Sequence, residues 1–337
     1  MFKTEKENMM GKRIAINGFG RIGRLVFRVM QDRSDVEVVA INDIADVETL
    51  CHLLKYDSIH GRFDGDVSVE GGVLLINGKE IKVSSERNLE NLPWDELNIE
   101  VVVESTGIYR DLASASAHIK AGAKKVVISA PADGDMKTVV IGVNDEILDG
   151  TELVVSNASC TTNCLAPMVK ILNNAFGLKS GFITTVHSYT ADQRLHDSPH
   201  SDLRRARSAS LNIIPTSTGA AVAVGIVLPE LEGKLDGLAI RVPTPTGSIT
   251  DLTATLERNV TIEEVNAAMK ASADGPMKGI LKFEIDPIVS SDIVGSTYSC
   301  IYDSTLTRVN GNVVKMFGWY DNETGYATRV ADLVERI

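Results

Sequence analysis

The 337-residue sequence predicts an α/β fold: a doubly wound parallel sheet, followed by an α+β region built on a mostly antiparallel sheet. Three observations predict it. Apolar runs at 13–17 (RIAIN), 37–43 (EVVAIND), 99–106 (IEVVVEST) and 124–131 (KKVVISAP) alternate with helical or mixed segments, as parallel strands covered on both faces do. A glycine-spaced loop joins the first run to a helical pattern at 21–31, with Ile22, Leu25, Val26 and Val29 on one stripe. Beyond Cys160 the strands at 182–190, 235–243, 248–257, 292–303 and 313–322 are longer, and several alternate apolar with polar residues.

The remaining elements follow in order. Residues 67–85 read as a hairpin adding antiparallel strands at one edge of the first sheet. Residues 261–273 open on a capping box, Thr261 to Glu264, and read as a covering helix. The last segment places Tyr326, Val330, Leu333, Val334 and Ile337 on one helical face, which must dock, and the first domain is the expected host. The expected division is 1–159 with 323–337 as one domain and 160–322 as the other.

Composition narrows the function. With 44% hydrophobic and 23% charged residues the chain reads as an ordinary globular protein, and no apolar run approaches the ~18 residues of a membrane span. A net charge of −11 argues against a general nucleic-acid or membrane partner, so any anionic ligand must meet a local donor cluster. Four scattered cysteines make no disulfide framework, and the charged N-terminal MFKTEKENMM has no apolar signal core; a reducing cytosol is expected. Met9 or Met10 is an alternative start.

In NGFGRIG, Gly18, Gly20 and Gly23 carry the G-x-G-x-x-G spacing: a tight turn, close approach of backbone to a pyrophosphate, and close helix–strand packing. Asp43 ends the next strand, where an acid bonds a ribose 2′-hydroxyl and repels a 2′-phosphate, which favours NAD over NADP.

SNASCTTNCLAP (156–167) places two cysteines four residues apart. A zinc site needs about four ligands and a disulfide would consume the better-placed thiol, so one reactive sulfur and one buried bystander, Cys164, is the reading; no metal is expected. Cys160 falls at a helix N-terminus, where the macrodipole favours a thiolate. Among six histidines His187, in the strand ITTVHSY, suits the role of base, and equally that of a satisfied core histidine.

Together SNASCTTNCLAP, NGFGRIGR, HSYTADQRL, DLRRARSASLNIIPTSTGAA, LAIRVPTPTGSITDL and WYDNETGY closely resemble the phosphorylating, glycolytic type I glyceraldehyde-3-phosphate dehydrogenase family, from about Lys12 to the C-terminus. The resemblance implies a Rossmann-type first domain and a catalytic second one. It implies that Cys160 attacks the aldehyde, that His187 takes the thiol proton, and that hydride passes to NAD. A thioester remains, which inorganic phosphate converts to 1,3-bisphosphoglycerate. It assigns Thr190 and Arg241 to the substrate phosphate, and Ser159, Thr161, Arg205, Thr218 and Gly219 to the attacking one. Arg21, Ile22, Asp43, Arg87, Ser129 and Asn322 would bind the cofactor, with Thr106 and Gly107 lining its groove. Of the basic run Arg204, Arg205 and Arg207, at least one is expected to be merely solvated or at a subunit contact. A homotetramer is implied, with the 188–212 loop reaching a neighbour's cofactor site.

Ser198 stands where NAD-specific relatives usually carry leucine before Pro199, which keeps secondary NADP use open. Rival readings are an erythrose-4-phosphate or NADP-using dehydrogenase of the same family, a semialdehyde dehydrogenase, and a catalytically silent nucleotide-binding interaction protein.

Overall fold

The computed structural model describes residues 11–337, so the expectations for the N-terminal arm lie outside the described residues. The first sheet is built from β1 (Lys12–Asn17), β2 (Val36–Asn42), β3 (Val67–Glu70), β4 (Val73–Ile76), β5 (Lys79–Ser84), β6 (Val101–Glu104), β7 (Lys125–Ile128) and β8 (Val154–Ser156). Its order is β3-β4-β5-β2-β1-β6-β7-β8. Every pair from β5 to β8 is parallel, whereas β3, β4 and β5 pair antiparallel with one another. The segment read as a hairpin is thus a three-strand meander, at one edge as expected.

Both faces of this sheet are covered. Ile14, Ile16, Val101 and Val103 enter one core, while their neighbours Ala15 and Val102 enter another with Trp94 and Ala115. That period-2 division along near-continuous apolar strands is what doubly wound sheets require. The helices of this half are α1 (Arg21–Met30), α2 (Val47–Lys55) and the short α3 (Leu112–Ala115) and α4 (Ala117–Lys120).

The second sheet comprises β9 (Leu178–Ser188), β10 (Ile214–Ser217), β11 (Leu235–Val242), β12 (Ser248–Leu256), β13 (Leu281–Glu284), β14 (Cys300–Asp303), β15 (Arg308–Asn310) and β16 (Val313–Tyr320). The order is β10-β11-β9-β12-β16-β14-β13, with β15 paired to β16. Only β9–β11 and β13–β14 run parallel. Against it pack α5 (Cys160–Phe176), α6 (Ala220–Val227) and α7 (Ile262–Asp274); α7 carries the expected capping box at Thr261 and Glu264. Gly318 of β16 lets α5 approach: a Cβ there would lie 2.8 Å from Met168 Cε and 3.0 Å from Cys164 Sγ.

The stretch 292–303 is strand only from Cys300 onward. Ser290–Ile293 is a short 3-10 helix, and Gly295 donates its N–H to Asp321 Oδ2 (2.8 Å), turning the chain away from the sheet. The final helix α8 (Thr324–Arg336) returns to pack on α1 in the first half. Lys12 Nζ donates to the carbonyls of Val334, Glu335 and Ile337 at 3.0, 3.1 and 2.6 Å, a cation on a helix C-terminus. Among the described residues no helix is long and apolar enough to cross a membrane.

Candidate active site

The bend from β8 into α5 positions the sulfur. Ala158 adopts a left-handed conformation (φ 56°), which costs a non-glycine residue about 1–3 kcal/mol. It is held by its N–H on Ser156 Oγ (3.0 Å) and by the Tyr326 hydroxyl on its carbonyl (2.9 Å). Ser159 then caps the helix, its Oγ accepting the Thr162 N–H (3.0 Å). Cys160 follows at the first helical position, where the backbone N–H has no intrahelical partner. Cys164, one turn on, is fully buried against the Gly318 carbonyl.

The parallel register of β9 and β11 places Arg241 beside His187. His187 Nε2 lies 3.4 Å from Cys160 Sγ, and Nδ1 lies 2.7 Å from both Arg241 Nη1 and the Ser188 carbonyl. Tyr320 packs edge-on against the imidazole, and its hydroxyl contacts Thr161 Oγ1 (2.8 Å) and Thr185 Oγ1 (2.7 Å). Burial, and then the Arg241 charge, pull His187 down to about 3. Burial pushes the Cys160 thiol up, opposed by Arg241 and by the Thr161 contacts, even though the residue keeps partial contact with solvent at the open mouth of the cleft. The helix N-terminus and the Arg241 charge work in the opposite direction, toward a charged sulfur.

Two clefts meet along the carboxyl edge of the first sheet. One, of about 330 Å³, is lined by Gly18, Gly20, Asp43, Arg87 and Thr106 among others. Gly18 (φ 89°) leaves no room for a side chain: a Cβ would lie 2.7 Å from Thr106 N. At Gly23 a Cβ would meet the Gly18 carbonyl at 2.1 Å. No side chain caps the start of α1, so the N–H groups of Arg21, Ile22 and Gly23 remain available to an anion. Asp43 is fixed at the cleft by the N–H groups of Phe19 (2.7 Å) and Ala45 (2.9 Å). Thr106 is tied to the Glu104 carboxylate, and Gly107 follows exposed.

The other cleft, about 350 Å³, holds Arg21, Ile22, Ser129, Cys160, His187 and Asn322. Asn322 Oδ1 accepts the hydroxyls of Ser188 (2.8 Å) and Ser248 (2.9 Å), which leaves its amide N–H groups for the cleft. An acid, an uncapped helix start and a fixed amide in continuous clefts suit the diol, pyrophosphate and carboxamide of a dinucleotide.

The anion-binding candidates divide. Ser159, Thr190 and Arg241 line the cleft around Cys160, whereas Thr161, Arg205, Thr218 and Gly219 do not. The Thr161 hydroxyl faces Tyr320; Thr218 and Gly219 sit at the start of α6. Arg205 connects to the cleft through Asp192, which accepts from Arg205 Nη1 (2.9 Å) and from the Thr190 hydroxyl. Sequence reasoning missed Asp192, Tyr320, Ala158 and Glu323. All four stand in or beside quoted motifs, but nothing local distinguishes them from solvated or core residues. Arg207 pairs with Asp197, and Arg204 is exposed; Ser198 and Pro199 are exposed in the same loop and line neither cleft.

A doubly wound sheet with this loop and acid, opening onto a thiol–imidazole pair, defines the class of NAD-linked oxidoreductases. Residues 12–112 match the family described as glyceraldehyde 3-phosphate dehydrogenase, NAD binding domain, and residues 159–322 its C-terminal domain. The chain is 57% identical over 330 residues to the glyceraldehyde-3-phosphate dehydrogenase of Geobacillus stearothermophilus, covering 97% of this chain and 98% of that one. It is 56% identical over 331 residues to the enzyme of that name from Mycolicibacterium smegmatis, covering 96% and 97%. The chain belongs to the glyceraldehyde-3-phosphate dehydrogenase family.

Proposed function

We propose that this chain oxidises glyceraldehyde 3-phosphate with NAD and inorganic phosphate to 1,3-bisphosphoglycerate. The observation that carries the reading is the 3.4 Å contact of Cys160 Sγ with His187 Nε2, in a cleft shared by Arg241 and Asn322. The sulfur adds to the aldehyde carbon and the carbonyl oxygen gains a proton, giving a hemithioacetal. The Cys160 N–H and the His187 ring support the oxygen as charge builds on it. NAD, when bound, supplies the hydride acceptor. His187 takes the hydroxyl proton as the thioester forms on Cys160. Phosphate then attacks the thioester carbonyl, and the Cys160 sulfur leaves with the electrons of the C–S bond.

In this reading Thr190 and Arg241 hold the substrate phosphate, since arginine forks and hydroxyls suit tetrahedral oxyanions. Ser159, Arg205, Thr218 and Gly219 serve the attacking phosphate; Thr161, its hydroxyl turned to Tyr320, would contribute its N–H. Asp43 takes the adenosine ribose, the N–H groups of Arg21 and Ile22 the pyrophosphate, and Asn322 the carboxamide. Gly18, Gly20 and Gly23 keep the approach open, with Arg87, Thr106, Gly107 and Ser129 along the groove. Residues 1–159 with 323–337 form the cofactor half and 160–322 the catalytic half, in a cytosolic homotetramer. Exposed Leu195, Leu203 and Leu211 on the 188–212 loop support a subunit contact there; a monomer by light scattering at micromolar concentration would remove that part.

The test is NADH formation from glyceraldehyde 3-phosphate with and without phosphate or arsenate. Equal rates without either anion would mean hydrolysis instead, preference for erythrose 4-phosphate would move the substrate, and no turnover would leave a nucleotide-binding protein.

A further inference from the structure

The strands that meet at the glycine loop end in buried polar residues that no step of the reaction uses. Asn17 closes β1, Asn42 closes β2 and Glu104 closes β6, and the sheet register sets Asn17 opposite both of the others. Their side chains form one row across the strand ends, and its polarity is fixed from both sides. At one end the Glu86 backbone donates its N–H to Asn42 Oδ1 (2.9 Å) and accepts from Asn42 Nδ2 (2.9 Å). Asn42 Nδ2 also donates to Asn17 Oδ1 (2.7 Å), so Asn17 turns its amide N–H to Glu104 Oε2. At the other end Trp94 Nε1, which can only donate, lies 3.0 Å from His118 Nδ1. The His118 ring therefore carries its proton on Nε2 and gives it to the same Glu104 oxygen (3.0 Å). The N–H (2.8 Å) and the hydroxyl of Thr106 take Glu104 Oε1. Four donors thus converge on one carboxylate, as a buried charge requires.

We infer that Glu104 is a positioning residue for the adenosine end of the cofactor, acting through Thr106 and the two asparagines. The cleft of about 330 Å³ is lined from four segments, 17–20, 42–44, 86–89 and 105–109. Each is tied to the carboxylate: the first by Asn17, the second and third through Asn42 and the Glu86 backbone, the fourth by Thr106. The ladder hydrogen bonds fix the strands, and the row of side chains carries that registration into the loops beyond them. Between the first and fourth segments the fit is tightest. Ser105 donates its N–H to the Asn17 carbonyl (2.8 Å) and its hydroxyl to the Gly18 carbonyl (2.9 Å). Thr106 N, held by Glu104, fills the space a side chain on Gly18 would need. Glu104, His118 and Trp94 line neither cleft, so they act on the cofactor only through the row. A glutamine in place of Glu104 would keep the shape but turn N–H groups toward two of the four donors. The asparagines cannot reverse to accept them without opposing the Glu86 N–H.

The role of Glu104 rests on the reading of that cleft as the adenosine site, and binding of ADP-ribose, which lacks the nicotinamide, tests both. Its Kd is measured by calorimetry on the full chain, beside kcat and the two KM values. Glu104→Gln should raise the ADP-ribose Kd and the KM for NAD by about tenfold, the weight of a charge-assisted hydrogen bond. Its kcat at saturating NAD and its KM for glyceraldehyde 3-phosphate should stay parental, since the row does not reach the cleft around Cys160. A lower melting temperature with a parental Kd would make Glu104 merely structural and overturn the positioning role. Should Glu104→Gln not fold, His118 gives the same test from outside the cleft. His118→Gln keeps an N–H for Glu104 and should bind ADP-ribose like the parent, whereas His118→Phe should bind it several-fold more weakly; equal affinities overturn the role. Asp43→Ala tests the cleft itself. Parental ADP-ribose affinity in Asp43→Ala would place the adenosine elsewhere and remove the reading beneath the proposal. Weakened binding there, with parental binding in Glu104→Gln, would reject the positioning role alone.

Discussion

Arg21, at the first position of α1, is bound to Glu323, which lies 302 residues later and next to Asn322. Its Nε donates to Glu323 Oε1 (2.8 Å), Nη2 to the other carboxylate oxygen, and Nη1 to Asp57 Oδ2 (2.7 Å). His60 Nε2 contacts the same Glu323 oxygen from the far side (2.9 Å). The glycine loop and the segment entering α8 are thereby cross-linked by charge at the edge of the cleft.

That cross-link has a pH signature. Burial would raise the Asp57 carboxyl, but the N–H groups of His60 and Ile59 and the Arg21 charge hold it down at about 2. A depressed carboxyl contributes stability that is fully present above its unfolded value near 3.8 and is lost as pH falls through about 2. Asp57 is nearly inaccessible, so the contribution is about 2 kcal/mol. Asp57→Asn should lower the urea midpoint at about pH 6, and the gap to the parent should narrow at about pH 3. A gap of equal size at both would show that the charge is not its source.

Cofactor choice is tested at Asp43. Its carboxylate is held by two backbone N–H groups beside Gly18 and Gly20, so it cannot swing aside for a 2′-phosphate. The parent should show a higher kcat/KM for NAD than for NADP. Asp43→Gly should move the ratio toward NADP by about tenfold, roughly 1.4 kcal/mol. A parental preference for NADP would reject the assignment and point back to Ser198.

Much of this was legible beforehand because local chemistry specifies it. The glycine loop, the acid after β2, the helix start at Cys160 and the capping box of α7 are each specified within a few residues, and period-2 alternation marked several strands. What was not legible depends on pairing across the chain. The tie of Asp192 to Thr190 and Arg205 needs the fold of the 188–212 loop. The contact of Arg241 with His187 follows from strand register, which two separate apolar runs do not reveal. Residues 292–303 were misjudged because an apolar-rich stretch carried a turn at Gly295, closed by the Ser296 N–H on the Ile293 carbonyl (3.0 Å) and tied to distant Asp321. How burial and the Arg241 charge bear on the Cys160 thiol likewise depends on contacts across the chain.

His187 supplies a second pH test. Burial and the neighbouring guanidinium hold its value at about 3, against 6.5 ordinarily. In the ligand-free chain it should therefore stay neutral from about pH 8 to 5, one histidine whose NMR signals do not move. Since the unfolded chain takes up that proton near 6.5, this group's contribution to stability is present above 6.5 and declines as pH falls toward 3. His187→Asn should remove that component of the slope and lower kcat by about 10²–10⁴-fold. A His187 signal titrating near 6.5 without ligand would contradict the buried, Arg241-contacted imidazole.

The role of Cys160 can be separated from its place in the fold. The bend is built by Ser156, Ala158, Ser159 and Tyr326, and none of their contacts uses the sulfur. Cys160→Ser should therefore keep the parental melting temperature and the parental NAD affinity. A serine hydroxyl offered to the same imidazole is a far weaker nucleophile than a thiolate and a far worse leaving group from the acyl intermediate. Turnover should fall by at least ~10³-fold while binding persists, and single-turnover traces should show no acyl-enzyme. If the serine variant reduces NAD at the parental rate, the aldehyde is oxidised without a covalent bond to this residue, and the 3.4 Å contact between Cys160 and His187 has some other purpose.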